Sequence, residues 1–231
     1  EGLLGSSIVG FHTREHGTHF LSCIDRILEA RIDRDSSTVS YGGRLTAVNP
    51  YPISIEWPSR WLENQRPVPD CRVHIRERHA MGPDRLVGIG VDRLDYTKGI
   101  IERFLAVERL FELQPEWVGK FSFIQIAAPS RTIIDQYQHF HDQVYALAER
   151  INKRFGREGY EPIVLKVKHH EPPDVYEYYR ASELCFVTSL HDGMNLVAKE
   201  FIAARDDEQG VLILSQFTGA AQELPEALVV N

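Results

Sequence analysis

A chain of 231 residues with 43% hydrophobic and 26% charged content has ample apolar material for one large or two modest folded cores. Its formal net charge of -7 excludes a general nucleic-acid partner, which needs a basic face to displace counterions, so any bound anion must be held by cations gathered locally. Cys23, Cys71 and Cys185 are widely spaced with no CxxC pair and read as reduced thiols of a cytoplasmic protein; no apolar run approaches membrane-spanning length.

The chain opens on Glu1-Gly2-Leu3-Leu4 with no initiator Met, and the expectation is a piece of a longer polypeptide. Ser7 to Phe11 predicts a short strand, and residues 14–29 carry Phe20, Leu21, Ile24, Ile27 and Leu28 at helical spacing. Thr38-Val39-Ser40-Tyr41, a Gly42-Gly43 turn and Leu45-Thr46-Ala47-Val48 read as a hairpin, with Tyr51 to Ile55 as another short strand. Residues 58–84 carry Pro58, Pro67, Pro69 and Pro83 and few apolar pairs, which predicts a linker with at most one helix. From 85 onward the rhythm is strand then helix. Strands are expected at 86–91, 121–126, 163–165, 184–187 and 211–214, and helices from about 98, over 133–151, near 173–181 and over 195–205. The chain closes on Leu228-Val229-Val230, which looks like a further strand. Continuous apolar strands alternating with helices predict an α/β fold with a parallel, doubly wound sheet.

Two strand-to-helix junctions carry the chemistry. In Val91-Asp92-Arg93-Leu94-Asp95-Tyr96-Thr97-Lys98-Gly99, Arg93 and Lys98 place a guanidinium and an ammonium in one loop, suited to a diphosphate that gains charge as its bond to a sugar breaks. The bland alternative pairs Arg93 with Asp92 or Asp95 and leaves Lys98 to start a helix. The GxxxxGK[ST] arrangement of a P-loop is absent. In Asp192-Gly193-Met194-Asn195-Leu196-Val197-Ala198-Lys199-Glu200, a glycine turn precedes a helix whose first free N–H groups are expected at Met194, Asn195 and Leu196, an anion site needing no metal. Glu200, about two turns after Asp192, is placed to accept from paired ribose hydroxyls. The alternative makes Asp192 a helix cap and Glu200 a surface group paired with Lys199 or Arg205. Arg131, at a third junction, offers a second phosphate contact or a solvated charge. His12, His16 and His19 share helical spacing but lack an acidic or cysteine partner, so no metal site is expected.

These motifs, with Gln125 to Arg131, Arg150-Ile151-Asn152, Gly210 to Ala221 and the opening Val9-Gly10-Phe11-His12-Thr13, resemble the trehalose-6-phosphate synthase family over nearly the whole chain. The resemblance implies a GT-B glycosyltransferase fold of two Rossmann-like domains. Residues 1–57 would end the N-terminal, acceptor-side domain, 58–84 would link, and 85–231 would form a truncated C-terminal, nucleotide-sugar-binding domain. It implies transfer of glucose from UDP-glucose to glucose 6-phosphate with retention, no required metal or other cofactor, an inactive isolated fragment, and a homo-oligomer as an option for the full-length protein. Carried over, Arg93, Lys98 and Asp192 are catalytic: the two cations hold the diphosphate as it leaves, and Asp192 holds hydroxyls of the donor glucose. Met194, Asn195, Leu196 and Val197 would contact glucose and phosphate, Glu200 the ribose, and Arg131 the acceptor phosphate. Two departures stand out: His191 replaces a common arginine before Asp192-Gly193, and His170-Glu171-Pro172-Pro173-Asp174 differs near the expected base pocket. Relatives that make glucosylglycerol phosphate or pseudo-sugars, and a non-catalytic regulatory subunit that keeps the fold, remain alternatives.

Overall fold

The computed structural model describes residues 1–129 and 135–231, without the side chains of 135–137. Arg131, the expected acceptor contact, lies outside the described residues. The chain divides into two units, Glu1–Ser54 and Ile55–Asn231.

In the first unit, strand β1 (Ile8–Phe11) pairs in parallel with β4 (Arg44–Pro50), and β4 continues antiparallel to β3 (Thr38–Tyr41) and β3 to β2 (Arg31–Asp33), giving the order β1-β4-β3-β2. Helix α1 (Arg14–Ile27) starts where Thr13 accepts a hydrogen bond from the His16 amide, and it buries Leu21 and Ile24 with Val39 and Val48. His12 precedes this helix, so the three histidines do not share one helical face. The sequence did not signal β2, whose three residues are too few to show alternation. Conversely, residues 51–55 are not a strand: Pro50 and Pro52 flank Tyr51 and remove the amides a ladder needs, so pairing stops after the Tyr51 amide meets the Phe11 carbonyl at 2.6 Å.

The second unit is built on six parallel strands: β5 (Leu86–Arg93), β6 (Phe121–Ala128), β7 (Ile163–Val167), β8 (Leu184–Val187), β9 (Val211–Ser215) and β10 (Leu228–Val230). Their order is β10-β9-β8-β5-β6-β7. This is the doubly wound pattern in which strand order reverses between the first and fourth strands, here β5 and β8, and such a reversal opens a crevice at the carboxyl ends of those two strands. The sheet is buried on both faces, as its unbroken apolar strands predict. One face packs Val87, Ile89 and Cys185 against α2 (Val68–Arg78), α5 (Pro172–Ala181) and α6 (Leu196–Ala204). The other packs Phe121 and Phe123 against α3 (Ile100–Leu113) and α4 (Asp135–Phe155).

The proline-bearing segment 58–84, read from sequence as a linker, carries one helix, α2, and lies in the second unit. Glu177 of α5, almost fully buried, accepts from Arg66 at 2.6 Å and Arg78 at 3.0 Å and meets His74 at 2.5 Å, so charge as well as apolar packing fastens α2 to α5. Among the described residues no helix is long and apolar enough to cross a membrane.

Candidate active site

Lys98 and Asp192 are 94 residues apart in sequence and meet at the switch point. The Lys98 ammonium lies 2.6 Å from Asp192 Oδ2, with each side chain 16% exposed. The same carboxylate oxygen accepts from Asn195 Nδ2 at 3.1 Å and faces the Ser189 hydroxyl at 3.4 Å. Burial pushes the Asp192 carboxyl up, but the hydrogen bond and charge of Lys98, then the side chain of Asn195 and the backbone of Met194, outweigh it and leave it below the ordinary aspartate value. A carboxyl depressed in this way contributes stability above the ordinary aspartate range, and loses it as pH falls through the lowered value.

The two loops that carry this pair are joined through their backbones. The Leu190 amide donates to the Thr97 carbonyl at 2.8 Å, and Thr188 presents its carbonyl oxygen to Gly99. Gly99 has φ +67, and a Cβ there would stand 2.1 Å from that oxygen. Only glycine satisfies both the left-handed backbone and the close approach. Gly99→Ala is therefore expected to destabilise the protein by more than ~1 kcal/mol, measured as a lowered denaturation midpoint at unchanged slope. A midpoint equal to the wild type would contradict the tight loop contact.

Helix α6 begins at Leu196, one residue later than the sequence suggested, because Asn195 is its N-cap: the Asn195 side-chain oxygen accepts from the Ala198 amide at 3.3 Å. Asn195 holds φ 77 and ψ 100, an unusual conformation for a residue with a side chain. The amides with no partner in the helix ladder thus begin at Leu196 and Val197, not at Met194, whose backbone serves Asp192 and whose carbonyl accepts from the Ala220 amide at 2.8 Å. Asp192 is not the cap. Its own backbone pairs with Phe217 and Gly219, which adds the loop after β9 to the same corner.

Arg93 ends β5 with its side chain 60% exposed and a guanidinium nitrogen 3.8 Å from Asp95, a weak pairing that leaves most of the group in water. Asp95 is chiefly occupied with the amide and hydroxyl of Thr97, at 2.9 and 2.8 Å. Glu200 pairs with neither Lys199 nor Arg205. Lys199 reaches Glu223 at 2.7 Å, Arg205 reaches Asp207 at 2.9 Å, and Glu200 Oε2 accepts from the buried Tyr179 hydroxyl at 3.0 Å. Burial raises the Glu200 carboxyl above the ordinary glutamate value, against the opposing hydrogen bond from Tyr179.

Sequence reasoning passed over Arg103. Its side chain is fully buried and spends its donors on four places: Asp92 Oδ2 at 2.7 Å, Gln125 Oε1 at 2.8 Å, the Thr188 hydroxyl at 2.9 Å and the Lys98 carbonyl at 2.7 Å. Gly90 makes room for it, since a Cβ there would lie 2.4 Å from Arg103 Nη1. The signal was present: Arg103 falls on the stripe of Ile100, Phe104, Val107 and Phe111, where a charge implies a buried partner, and Asp92 follows the apolar run of β5 directly.

This corner combines a cation, a carboxylate held ready by it, and a helix start with unpartnered amides, which together suit an anionic ligand that also carries hydroxyls. The model of glycosyltransferase family 20 matches residues 1–231. The chain is 41% identical over 232 residues to an alpha,alpha-trehalose-phosphate synthase (UDP-forming) of Pichia angusta, covering all of this chain and 48% of the relative. It superimposes with a TM-score of 0.90 at 36% identity on a Burkholderia xenovorans synthase of that name in complex with glucose-6-phosphate, covering 99% of this chain and 50% of that one. An E. coli trehalose-6-phosphate structure bound with UDP-2-fluoro glucose gives the same TM-score, identity and coverage. The chain thus spans about half the length of the relatives it matches. Its α/β architecture is that of half a GT-B transferase. A family match over every residue, together with this fold, establishes that the chain belongs to glycosyltransferase family 20.

Proposed function

We propose that the whole protein carrying this chain transfers glucose from UDP-glucose to glucose 6-phosphate with retention of configuration, giving trehalose 6-phosphate, in the cytoplasm and without a required metal. The observation that carries the reading is the Lys98–Asp192 pair beside the open start of α6, in a chain 41% identical to a UDP-forming synthase. In this reading the diphosphate takes the Lys98 ammonium and the Leu196 and Val197 amides, and the Arg93 guanidinium closes on it from the solvent side. These charges strengthen their hold as the sugar–phosphate bond lengthens, which lowers the barrier instead of merely tightening binding. Asp192, released from Lys98, turns to hydroxyls of the donor glucose, while Glu200 accepts from the ribose. Arg131 is assigned to the acceptor phosphate. The 231-residue chain by itself is expected to bind nucleotide weakly and turn nothing over.

Calorimetric titration of the whole protein with UDP tests the nucleotide half of the proposal. Arg93→Ala with Lys98→Ala should weaken binding by about two orders of magnitude, the loss of two charge-assisted contacts. Unchanged affinity would reject the site. Release of UDP from UDP-glucose that depends on glucose 6-phosphate tests the reaction; release that ignores this acceptor would send the assignment to another member of the family.

A further inference from the structure

Tyr179 is a core residue with a polar end. It is fully buried on α5, its ring edge-on to Tyr176 at 5.7 Å and to Phe201 at 6.3 Å between centroids, so packing on two sides fixes the ring. Burial, with the Glu200 charge adding to it, keeps its hydroxyl protonated far above the ordinary tyrosine range, a permanent donor. That donor has one acceptor among the described residues, Glu200 Oε2 at 3.0 Å. Oε1 of the same carboxylate carries no hydrogen bond within the described residues. One oxygen is therefore tied from inside the protein, while the other remains available to a further donor. Glu200 also sits one helical turn beyond Leu196, a rise of ~6 Å, which is about the distance from a bound phosphate to the ribose diol of the same nucleotide.

We infer that Tyr179 is a positioning residue that holds the Glu200 carboxylate, aimed by one hydrogen bond, for the vicinal hydroxyls of a nucleotide ribose. The inference rests on the nucleotide reading of the site. A carboxylate in a half-buried setting that lost its internal donor would rotate toward water or take up a proton, and either change removes the acceptor the hydroxyls need.

The test compares UDP with 2′,3′-dideoxyuridine 5′-diphosphate by calorimetry on the whole protein, as wild type, Tyr179→Phe and Glu200→Gln. Tyr179→Phe deletes a single oxygen and leaves the ring packing in place. The wild type should prefer UDP by about tenfold or more, the worth of hydroxyls on a charged acceptor. Tyr179→Phe should lose most of that preference while binding the dideoxy analogue within about twofold of wild type. A purely structural tie between α5 and α6 would weaken both ligands equally, and that result overturns the inference. It is also overturned if Glu200→Gln loses the preference and Tyr179→Phe keeps it, which leaves the nucleotide reading intact. If the wild type itself does not distinguish the ligands, the ribose assignment of Glu200 falls and takes the role of Tyr179 with it.

Discussion

Lys98→Ala in the whole protein is expected to lower kcat/KM for transfer from UDP-glucose by about 10²–10³-fold, the usual loss when one preorganised donor to a developing anion is removed. Two consequences of the geometry push in the same direction. The ammonium is lost as a charge on the diphosphate, and Asp192, 2.6 Å away, loses the partner that holds its carboxyl below the ordinary aspartate value. Only the Asn195 side chain and the Met194 backbone then oppose burial at Asp192, so its charge costs more and a hydroxyl acceptor is weakened along with a phosphate donor. The effect should appear mainly in kcat, because the diphosphate carries more charge in the transition state than in the bound substrate. Steady-state kinetics with both substrates varied supplies the measurement. A variant within about threefold of wild type in kcat/KM would remove Lys98 from the chemistry.

Arg103→Met is expected to destabilise the fold by ~3–5 kcal/mol, the cost of stranding a buried charge, read from chemical denaturation of the whole protein. The Asp92 side chain is 4% exposed and depends on Arg103 for its compensation; burial already raises its carboxyl, with Arg103 as the main opposing influence. Adding Asp92→Leu removes the stranded charge, and the double variant should regain most of the lost stability, since a well-packed apolar replacement of a buried pair is often close to neutral. Activity should not return with it. The Lys98 carbonyl and the Thr188 hydroxyl would still lack the guanidinium that draws both loops together. Restored stability with restored activity would show that Arg103 merely neutralises Asp92. A single variant as stable as wild type would show that the pair is solvated in a way its burial denies.

Much of the fold was legible because it rests on periodicity. Each of the apolar runs at 86–91, 121–126, 163–165, 184–187 and 211–214 is a strand of the parallel sheet, since buried parallel strands need apolar residues on both faces. The loops at Arg93–Gly99 and Asp192–Asn195 were legible for a related reason: doubly wound sheets concentrate function where strands give way to helices. What escaped was set by partners distant in sequence. Arg103 lies on the apolar stripe of its helix, which announces a buried partner but not its identity, and only the fold brings Asp92, Gln125 and Thr188 around it. Asn195 caps α6 in a positive-φ conformation that composition does not announce, which shifted the free amides from Met194, Asn195 and Leu196 to Leu196 and Val197. Tyr179 reads as one more aromatic in a Tyr-rich helix, and only its hydroxyl distance to Glu200 separates it from its neighbours.

The buried charges at this corner come in matched pairs. Lys98 is already answered by Asp192 and Arg103 by Asp92, so the charge this corner shows to the surrounding solution is chiefly that of Arg93, whose side chain is 60% exposed. In the proposed reading, an arriving anion adds to that charge by parting the Lys98 ammonium from its carboxylate, and the two halves of the broken contact then serve different parts of one visitor. Capture would then combine attraction by Arg93 across water with displacement at Lys98 at contact range.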